Sequence, residues 1–132
     1  MNGRAAVEYR PPVEQFERGD IDPERFDHAA HVYVAWCYLE RFDVGTTIRR
    51  YCEALRRLTE KLGVPGKYHE TITWFFVITV AERRRDGEGF TDFVARNPDL
   101  FGPPSLLRRY YRPETLASDR ARRRFVLPDR LA

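Results

Sequence analysis

The chain has 132 residues, of which 42% are hydrophobic and 14% aromatic, and this composition predicts a folded domain rather than a disordered chain. No segment reaches the roughly 18 uncharged apolar residues that a membrane span requires, and the first residues contain no apolar signal segment, so we expect a cytoplasmic protein without a membrane partner. The net charge of +3 is uneven, because residues 103–132 hold 8 of the 23 basic residues and 3 of the 20 acidic ones.

The first part of the chain predicts an arm followed by a buried helix. Residues 1–20 contain prolines and glycines and indicate an irregular arm, with one short helical turn at residues 13–18. A helix can then begin at Asp22-Pro23-Glu24, which offers a capping aspartate and a proline at the first helical position, or at Asp27. From His28 to about Phe42 the residues are nearly all apolar, which predicts a helix at the centre of the fold.

Two more long helices follow. Residues 43–46 predict a short connection, and residues 47–62 predict a second helix with one apolar stripe and one charged face. Residues 63–66 contain the glycines and the proline that usually end a helix. Residues 68–84 predict a third helix, because the segment is too long for a typical strand although its middle is rich in β-branched residues.

The remainder of the chain predicts shorter elements. Brief helices or turns are expected at residues 91–96, 103–111, 113–116 and 118–124, before an extended stretch at residues 125–129. No repeat and no alternating strand pattern is present. We therefore predict a single all-α domain over residues 1–132, with an antiparallel three-helix core, additional short helices and an Arg-rich C-terminal wrap over residues 103–132.

All three histidines lie at predicted helix starts, His28 and His31 in the first helix and His69 in the third. Short connections make the three helices antiparallel neighbours, so the first and third helices begin at the same end of the fold. Residues i and i+3 have Cβ atoms about 5–6 Å apart, so His28 and His31 can bind one metal ion, with His69 as the third ligand. Such a set is typical of catalytic zinc and of non-haem iron. We expect a divalent transition metal, which can be zinc, iron or copper, with zinc slightly favoured.

Polar residues around His69 supply candidates for the chemistry. Tyr68 and Glu70 are the candidate catalytic residues, as proton-transfer groups or as an additional ligand, and Thr73 and Trp74 are candidates for substrate binding. Glu70 has three interpretations, because it can be a metal ligand, a general base or the partner of an arginine in the second helix. Asp27 is interpreted as a helix cap rather than as a ligand.

These residues support more than one function. The first hypothesis is a small metal-dependent enzyme that acts on a small molecule, by hydrolysis, hydration or lyase chemistry with zinc and by oxygen chemistry with iron or copper. One alternative is a metal-free site with histidine and glutamate as acid and base, and another is a purely structural role for the histidines. A non-catalytic protein can also hold a small polar ligand in the same pocket, so whether the chain is an enzyme stays open.

The arginine-rich tail indicates a further alternative, an accessory protein that binds a partner through residues 103–132. Arginine interleaved with tyrosine can bind phosphate and stack on bases. However, Glu114, Asp119 and Asp129 interrupt the tail, and no recognisable nucleic-acid motif accompanies it. Nucleic acid is therefore disfavoured as the partner, and the oligomeric state is not indicated by any pattern.

Two stretches of the chain resemble a family of small helical bacterial proteins that has no assigned activity. The family pairs a phenylalanine-x-His-x-x-His stretch, which runs into an Ala-Trp helix, with a later Tyr-His-Glu-Thr stretch. The matching positions are Phe26, His28, His31, Ala35, Trp36 and Leu39, followed by Tyr68, His69, Glu70, Thr71 and Thr73. The similarity extends over roughly residues 20–130, including residues 97–100, 110–111 and 125–129. The resemblance implies a shared fold, a shared site and a bacterial origin, but no particular reaction.

Overall fold

The all-α class that the sequence predicts is confirmed. The structure is a computed structural model that describes residues 7–130. Its α-helices are α1 (Val13–Arg18), α2 (His28–Arg41), α3 (Val44–Lys61), α4 (Glu70–Arg83), α5 (Phe90–Arg96), α6 (Pro113–Leu116) and α7 (Asp119–Arg123). Single 3-10 turns occupy Pro65–Lys67, Pro98–Leu100 and Leu106–Arg109. Residues 7–130 contain no strand, and none of their helices is long and apolar enough to cross a membrane.

Helices α2, α3 and α4 hold the candidate site, and each of the three contacts the other two. The middles of α2 and α4 are buried on several sides, since Val32, Val34, Val77 and Val80 are almost completely shielded from solvent. This burial explains why both helices are apolar around most of their circumference. Helix α3 instead exposes a charged face and buries a stripe that includes Leu55.

The start of α2 is set by Asp27. Its side-chain Oδ1 accepts a hydrogen bond of 3.0 Å from the backbone N–H of Ala30, which satisfies one of the unpaired donors in the first turn. The helix therefore begins at His28, and the alternative start at Asp22-Pro23-Glu24 is wrong because residues 23–25 form only an isolated turn. The interpretation of Asp27 as a cap is confirmed, and the cap places both histidines of α2 in its first turns.

The start of α3 lies earlier than predicted. Asp43 Oδ1 accepts a hydrogen bond of 2.8 Å from the backbone N–H of Thr46, and the helix begins at Val44. Residues 43–46, which were expected to form the connection, are thus the cap and first turn of the helix. The connection between α2 and α3 therefore consists of only two residues, Phe42 and Asp43. Such a short connection makes the two helices neighbours in the fold.

Helix α1 and the residues around it belong to the hydrophobic core. The Phe16 side chain has no exposed surface, and its ring contacts those of Phe26, Tyr38 and Tyr51 at centroid distances of 5.6, 6.2 and 5.3 Å. Aromatic clusters of this kind bury a large apolar area. The predicted helical turn at residues 13–18 is therefore confirmed, and it packs α1 against α2 and α3.

Residues 103–130 fold back over α4. The Thr71 hydroxyl donates to the carbonyl oxygen of Arg124 at 2.8 Å and accepts from the backbone N–H of Val126 at 3.1 Å. The Tyr111 hydroxyl donates to the Val126 carbonyl oxygen at 2.6 Å. These hydrogen bonds attach an otherwise irregular segment, because each of them satisfies a backbone group that no helix or sheet pairs. The arginines of this segment point outward, and most are exposed.

Candidate functional site

Two adjoining cavities lie between α2, α3 and α4. The small cavity has a volume of about 300 Å³ and the large cavity one of about 570 Å³. Both are lined mainly by aliphatic and aromatic side chains, and they share His31, Leu55, Ile72 and Thr73 as walls. Mostly apolar cavities with a few polar groups are the usual form of a small-molecule site. The pair of cavities is therefore the candidate functional site.

His31 is the polar centre of this site, because its side chain lines both cavities. Its Nδ1–H donates to the carbonyl oxygen of Asp27 at 2.7 Å, one helical turn earlier. Its ring stacks on Phe26 at a centroid distance of 4.0 Å and an interplanar angle of 25°. These two contacts fix the orientation of the ring and leave Nε2 without a hydrogen-bond partner in the part of the chain that the structure describes.

Burial lowers the pKa of His31 below its usual value, and the neighbouring His28 lowers it further, although the Asp27 carbonyl acts in the opposite direction. A histidine with a lowered pKa is neutral at neutral pH. Because Nδ1 carries the proton that is donated to Asp27, Nε2 carries a lone pair. His31 therefore carries a hydrogen-bond acceptor on a side chain that lines both cavities.

His28 lies at the rim of the small cavity. Its ring packs edge-on against Phe76 at a centroid distance of 4.6 Å. Its Nε2–H donates to the carbonyl oxygen of Leu100 at 2.9 Å, across 72 residues of sequence. The contact anchors the Pro98–Leu100 turn to the first turn of α2 and leaves Nδ1 of His28 without a partner among residues 7–130.

His69 lines the large cavity but uses both of its ring nitrogens elsewhere. It is the N-cap of α4 rather than a residue of its first turn, since Nδ1 accepts from the backbone N–H of Ile72 at 3.2 Å. Its Nε2–H donates to the carbonyl oxygen of Leu116 at 2.7 Å. The side chain is buried, with 8% of its surface exposed. In this arrangement His69 connects α4 to the C-terminal wrap.

The three histidines thus border one continuous site, but their rings do not converge as one set of ligands. His31 lines both cavities, His28 lines the small one and His69 the large one. Within residues 7–130, no group of three or more His, Cys, Asp or Glu side chains is placed to hold a metal ion. A centre with all three imidazoles would require His69 to release Leu116 or Ile72, so this ligand set stays a prediction.

Glu70 and Tyr68 form a network beside the large cavity. The carboxylate of Glu70 accepts hydrogen bonds from the Tyr68 hydroxyl at 2.5 Å, from the guanidinium of Arg56 at 3.1 Å and from Nε1 of Trp74 at 3.1 Å. Of the three interpretations of Glu70, the partnership with an arginine of α3 is the one observed. Burial raises the pKa of Tyr68, and the hydrogen bond to Glu70 raises it further. A catalytic role of Glu70 and Tyr68 stays a prediction.

Thr73 and Trp74, the residues expected to bind substrate, lie in different places. Thr73 lines both cavities, and its hydroxyl donates to the backbone carbonyl oxygen of His69 at 2.7 Å. Trp74 lines neither cavity, because its indole stacks on Phe125 at 5.0 Å and its N–H is bound to Glu70. The placement favours Thr73 over Trp74 as a residue that a ligand can contact.

Sequence reasoning missed two residues of the site. Phe26 supports the His31 ring and forms part of the wall of the large cavity, and Lys67 lies on the same wall. Phe26 directly precedes the cap of α2, where an apolar residue often packs against the helix. Lys67 is one of only two lysines in the chain, and this rarity could have singled it out in the sequence.

A third concavity, of about 540 Å³, is basic and is lined by none of the three histidines. It is lined by Arg108, Arg109 and Arg130 together with Asp99, whose carboxylate is bound by the guanidinium of Arg83 at 2.8 and 3.1 Å. That ion pair and hydrogen bond hold the pKa of Asp99 below its usual value. The arginine-rich tail therefore supplies a basic surface, and none of its described residues lines the two cavities.

No family model, no curated protein and no solved structure matches the chain. The family resemblance of the two histidine stretches therefore stays a prediction. Any function has to be inferred from the chemistry of the cavities and their walls.

Proposed function

We propose that the protein binds a small, mostly apolar molecule in the two cavities and holds it by a hydrogen bond to Nε2 of His31. The observation that carries the proposal is a neutral, oriented imidazole whose Nε2 has no partner among residues 7–130 and whose ring lines two mainly apolar cavities. A neutral imidazole nitrogen of this kind accepts a hydrogen bond. The ligand is thus expected to carry a hydroxyl or another donor beside an apolar body.

The apolar walls supply affinity, and His31 supplies selectivity. Transfer of an apolar group from water contributes roughly 25 cal/mol for each Å² that it buries, and the walls offer side chains such as Leu55, Ile72 and Phe76 for this contact. A neutral hydrogen bond adds about 1 kcal/mol, or about fivefold in affinity. A ligand with a donor at the right place is therefore preferred over one that lacks it.

Titration calorimetry at neutral pH with 4-propylphenol and 4-propylanisole tests this preference. The two probes have similar bodies, but only the phenol can donate to His31. We expect the phenol to bind about fivefold more tightly than the anisole, and we expect His31→Leu to remove most of that difference. The anisole is the control within each variant, because a collapsed cavity weakens both probes. Absence of binding by either probe at millimolar concentration would exclude the proposal.

A metal-dependent enzyme is the second candidate, favoured by His28 and His31, which both line the small cavity and each keep one ring nitrogen without a partner among residues 7–130. Imidazole nitrogen is a ligand for zinc, iron and copper. The two histidines fit part of a ligand set, and His69, the third predicted ligand, would first have to give up one of its present hydrogen bonds. A bound metal would supply a Lewis acid or an activated water next to the apolar cavity.

Elemental analysis of protein purified without a histidine tag tests the second candidate. A metal enzyme should contain close to one equivalent of one transition metal, and added metal should raise the melting temperature through binding to the folded state. The double variant His28→Ala/His31→Ala should lose both effects. Less than about one-tenth of an equivalent, with no change in melting temperature on addition of zinc, ferrous or cupric ions, rules the candidate out.

A further inference from the structure

We infer that the natural ligand carries a single carboxylate and that the ammonium group of Lys67 binds it at the mouth of the large cavity. This inference rests on the proposed function, because it assigns the chemical class of the ligand of that same site. The ligand would be an amphipathic monocarboxylic acid with its apolar body between α2, α3 and α4. Its second polar group, a hydroxyl or similar donor, would lie at His31.

The wall of the large cavity carries one formal charge among the described residues. Most of its lining is aliphatic or aromatic, including Phe26, Leu58 and Ile72. The lowered pKa of His31 keeps that ring uncharged at neutral pH, and Nδ1 of His69 carries no proton because it accepts a hydrogen bond from the Ile72 N–H. Lys67 is the exception, and its side chain is exposed and makes no ion pair with another residue in the range 7–130. An unpaired cation beside an apolar cavity complements an anion that is attached to an apolar body.

The backbone around Lys67 is held in place. Residues 65–67 form a 3-10 turn, closed by a hydrogen bond of 2.9 Å from the Lys67 N–H to the Val64 carbonyl oxygen. The guanidinium of Arg122 donates to the carbonyl oxygen of Gly66 at 2.7 Å and attaches the turn to α7. The base of the lysine side chain is therefore positioned at the cavity before any ligand binds, and this lowers the entropic cost of binding.

The charge balance favours a carboxylate over a phosphate. One ammonium compensates one negative charge, whereas a phosphate monoester carries close to two at neutral pH. The described wall of the large cavity offers no second cation to pair with the other charge of a phosphate. Glu70, the nearest acidic residue along the chain, is bound to Arg56 and so does not compete for Lys67.

Calorimetry with 4-propylbenzoate and 4-propylbenzamide at neutral pH tests the inference. The two probes have nearly the same shape and differ in the negative charge. We expect the benzoate to bind the unmodified protein about fivefold more tightly than the benzamide. Lys67→Met should reduce this ratio to about one, and benzamide binding within each variant reports any change in the apolar contacts of the wall. Lys61→Met is the matched control, because the chain has only these two lysines and Lys61, whose ammonium donates to the Gly19 carbonyl oxygen, does not line the large cavity.

Salt supplies a second measurement that needs no variant. Raising the ionic strength from about 0.05 to about 0.5 M should weaken benzoate binding several-fold and leave the benzamide unaffected, because salt screens an exposed ion pair. Benzoate binding no tighter than benzamide, or equal losses in Lys67→Met and Lys61→Met, overturns the inference while the apolar site stands. Absence of binding by all of the neutral and charged probes removes the proposed function and the inference together.

Discussion

Replacement of Phe16 by alanine should lower the free energy of unfolding by about 3–5 kcal/mol, which is the range for deletion of a buried aromatic ring. Phe16 has no exposed surface and contacts three other aromatic rings. Its removal leaves a cavity at the junction of α1, α2 and α3 that rigid neighbours fill poorly. Urea denaturation followed by circular dichroism measures the change, and Phe16→Leu should cost less because it keeps part of the volume.

Leu127→Ala is the control for this prediction, since 74% of the Leu127 surface is exposed and its truncation should change stability by less than about 0.5 kcal/mol. A loss below about 1 kcal/mol in Phe16→Ala would mean that α1 is not part of the cooperative core. The outcome bears on the site as well, because Phe16 supports Phe26 and Phe26 supports the ring of His31. We therefore expect Phe16→Ala to weaken binding of 4-propylphenol in addition to lowering stability.

The long helices could be predicted because the hydrophobic pattern that indicates each helix lies within the helix itself. The apolar run of α2 and the single apolar stripe of α3 each follow helical periodicity, and these elements were located within a few residues. The error at the start of α3 has a simple cause. Asp43 was assigned to a connection, although an aspartate three residues before Thr46 is also a regular cap.

The position of the histidines could be predicted in part, whereas their hydrogen-bond partners could not. Antiparallel neighbours were expected to bring the starts of α2 and α4 together, and His31 and Ile72 do line the same cavities. The partners of His28 and His69 are the carbonyl oxygens of Leu100 and Leu116, which lie 72 and 47 residues away. No periodicity or spacing encodes such contacts, because they depend on the path of irregular segments.

The same limit applies to Lys67. A lysine in a glycine- and proline-rich turn usually lies on the surface with its charge in water. Only the packed structure shows that this turn borders an apolar cavity whose other described walls carry no formal charge. The functional role proposed for Lys67 therefore depends on the residues around it, and these residues belong to three separate parts of the chain.

Replacement of His69 is the second change for which we expect a large loss of stability, because its imidazole makes two hydrogen bonds. Different amino acids can replace each of these hydrogen bonds separately. In His69→Ala, α4 loses its side-chain cap and the Leu116 carbonyl oxygen loses its donor. Loss of a cap costs about 0.5–2 kcal/mol, and a buried acceptor left without a partner costs about 1–3 kcal/mol. The alanine variant should therefore be destabilised by roughly 2–4 kcal/mol, as measured by urea denaturation.

Two further variants separate a structural role of His69 from a ligand role. His69→Asn can keep the cap, because asparagine is a good N-cap residue, and His69→Gln can keep a donor near Leu116. Each should recover about half of the stability that alanine loses, and all three should keep the preference of the protein for 4-propylphenol over 4-propylanisole. If His69→Asn were as stable as the unmodified protein but lost a bound metal, His69 would be a ligand. The two hydrogen bonds of its ring would then belong to a metal-free state, and the three-histidine centre would require a movement of Leu116 and the C-terminal wrap.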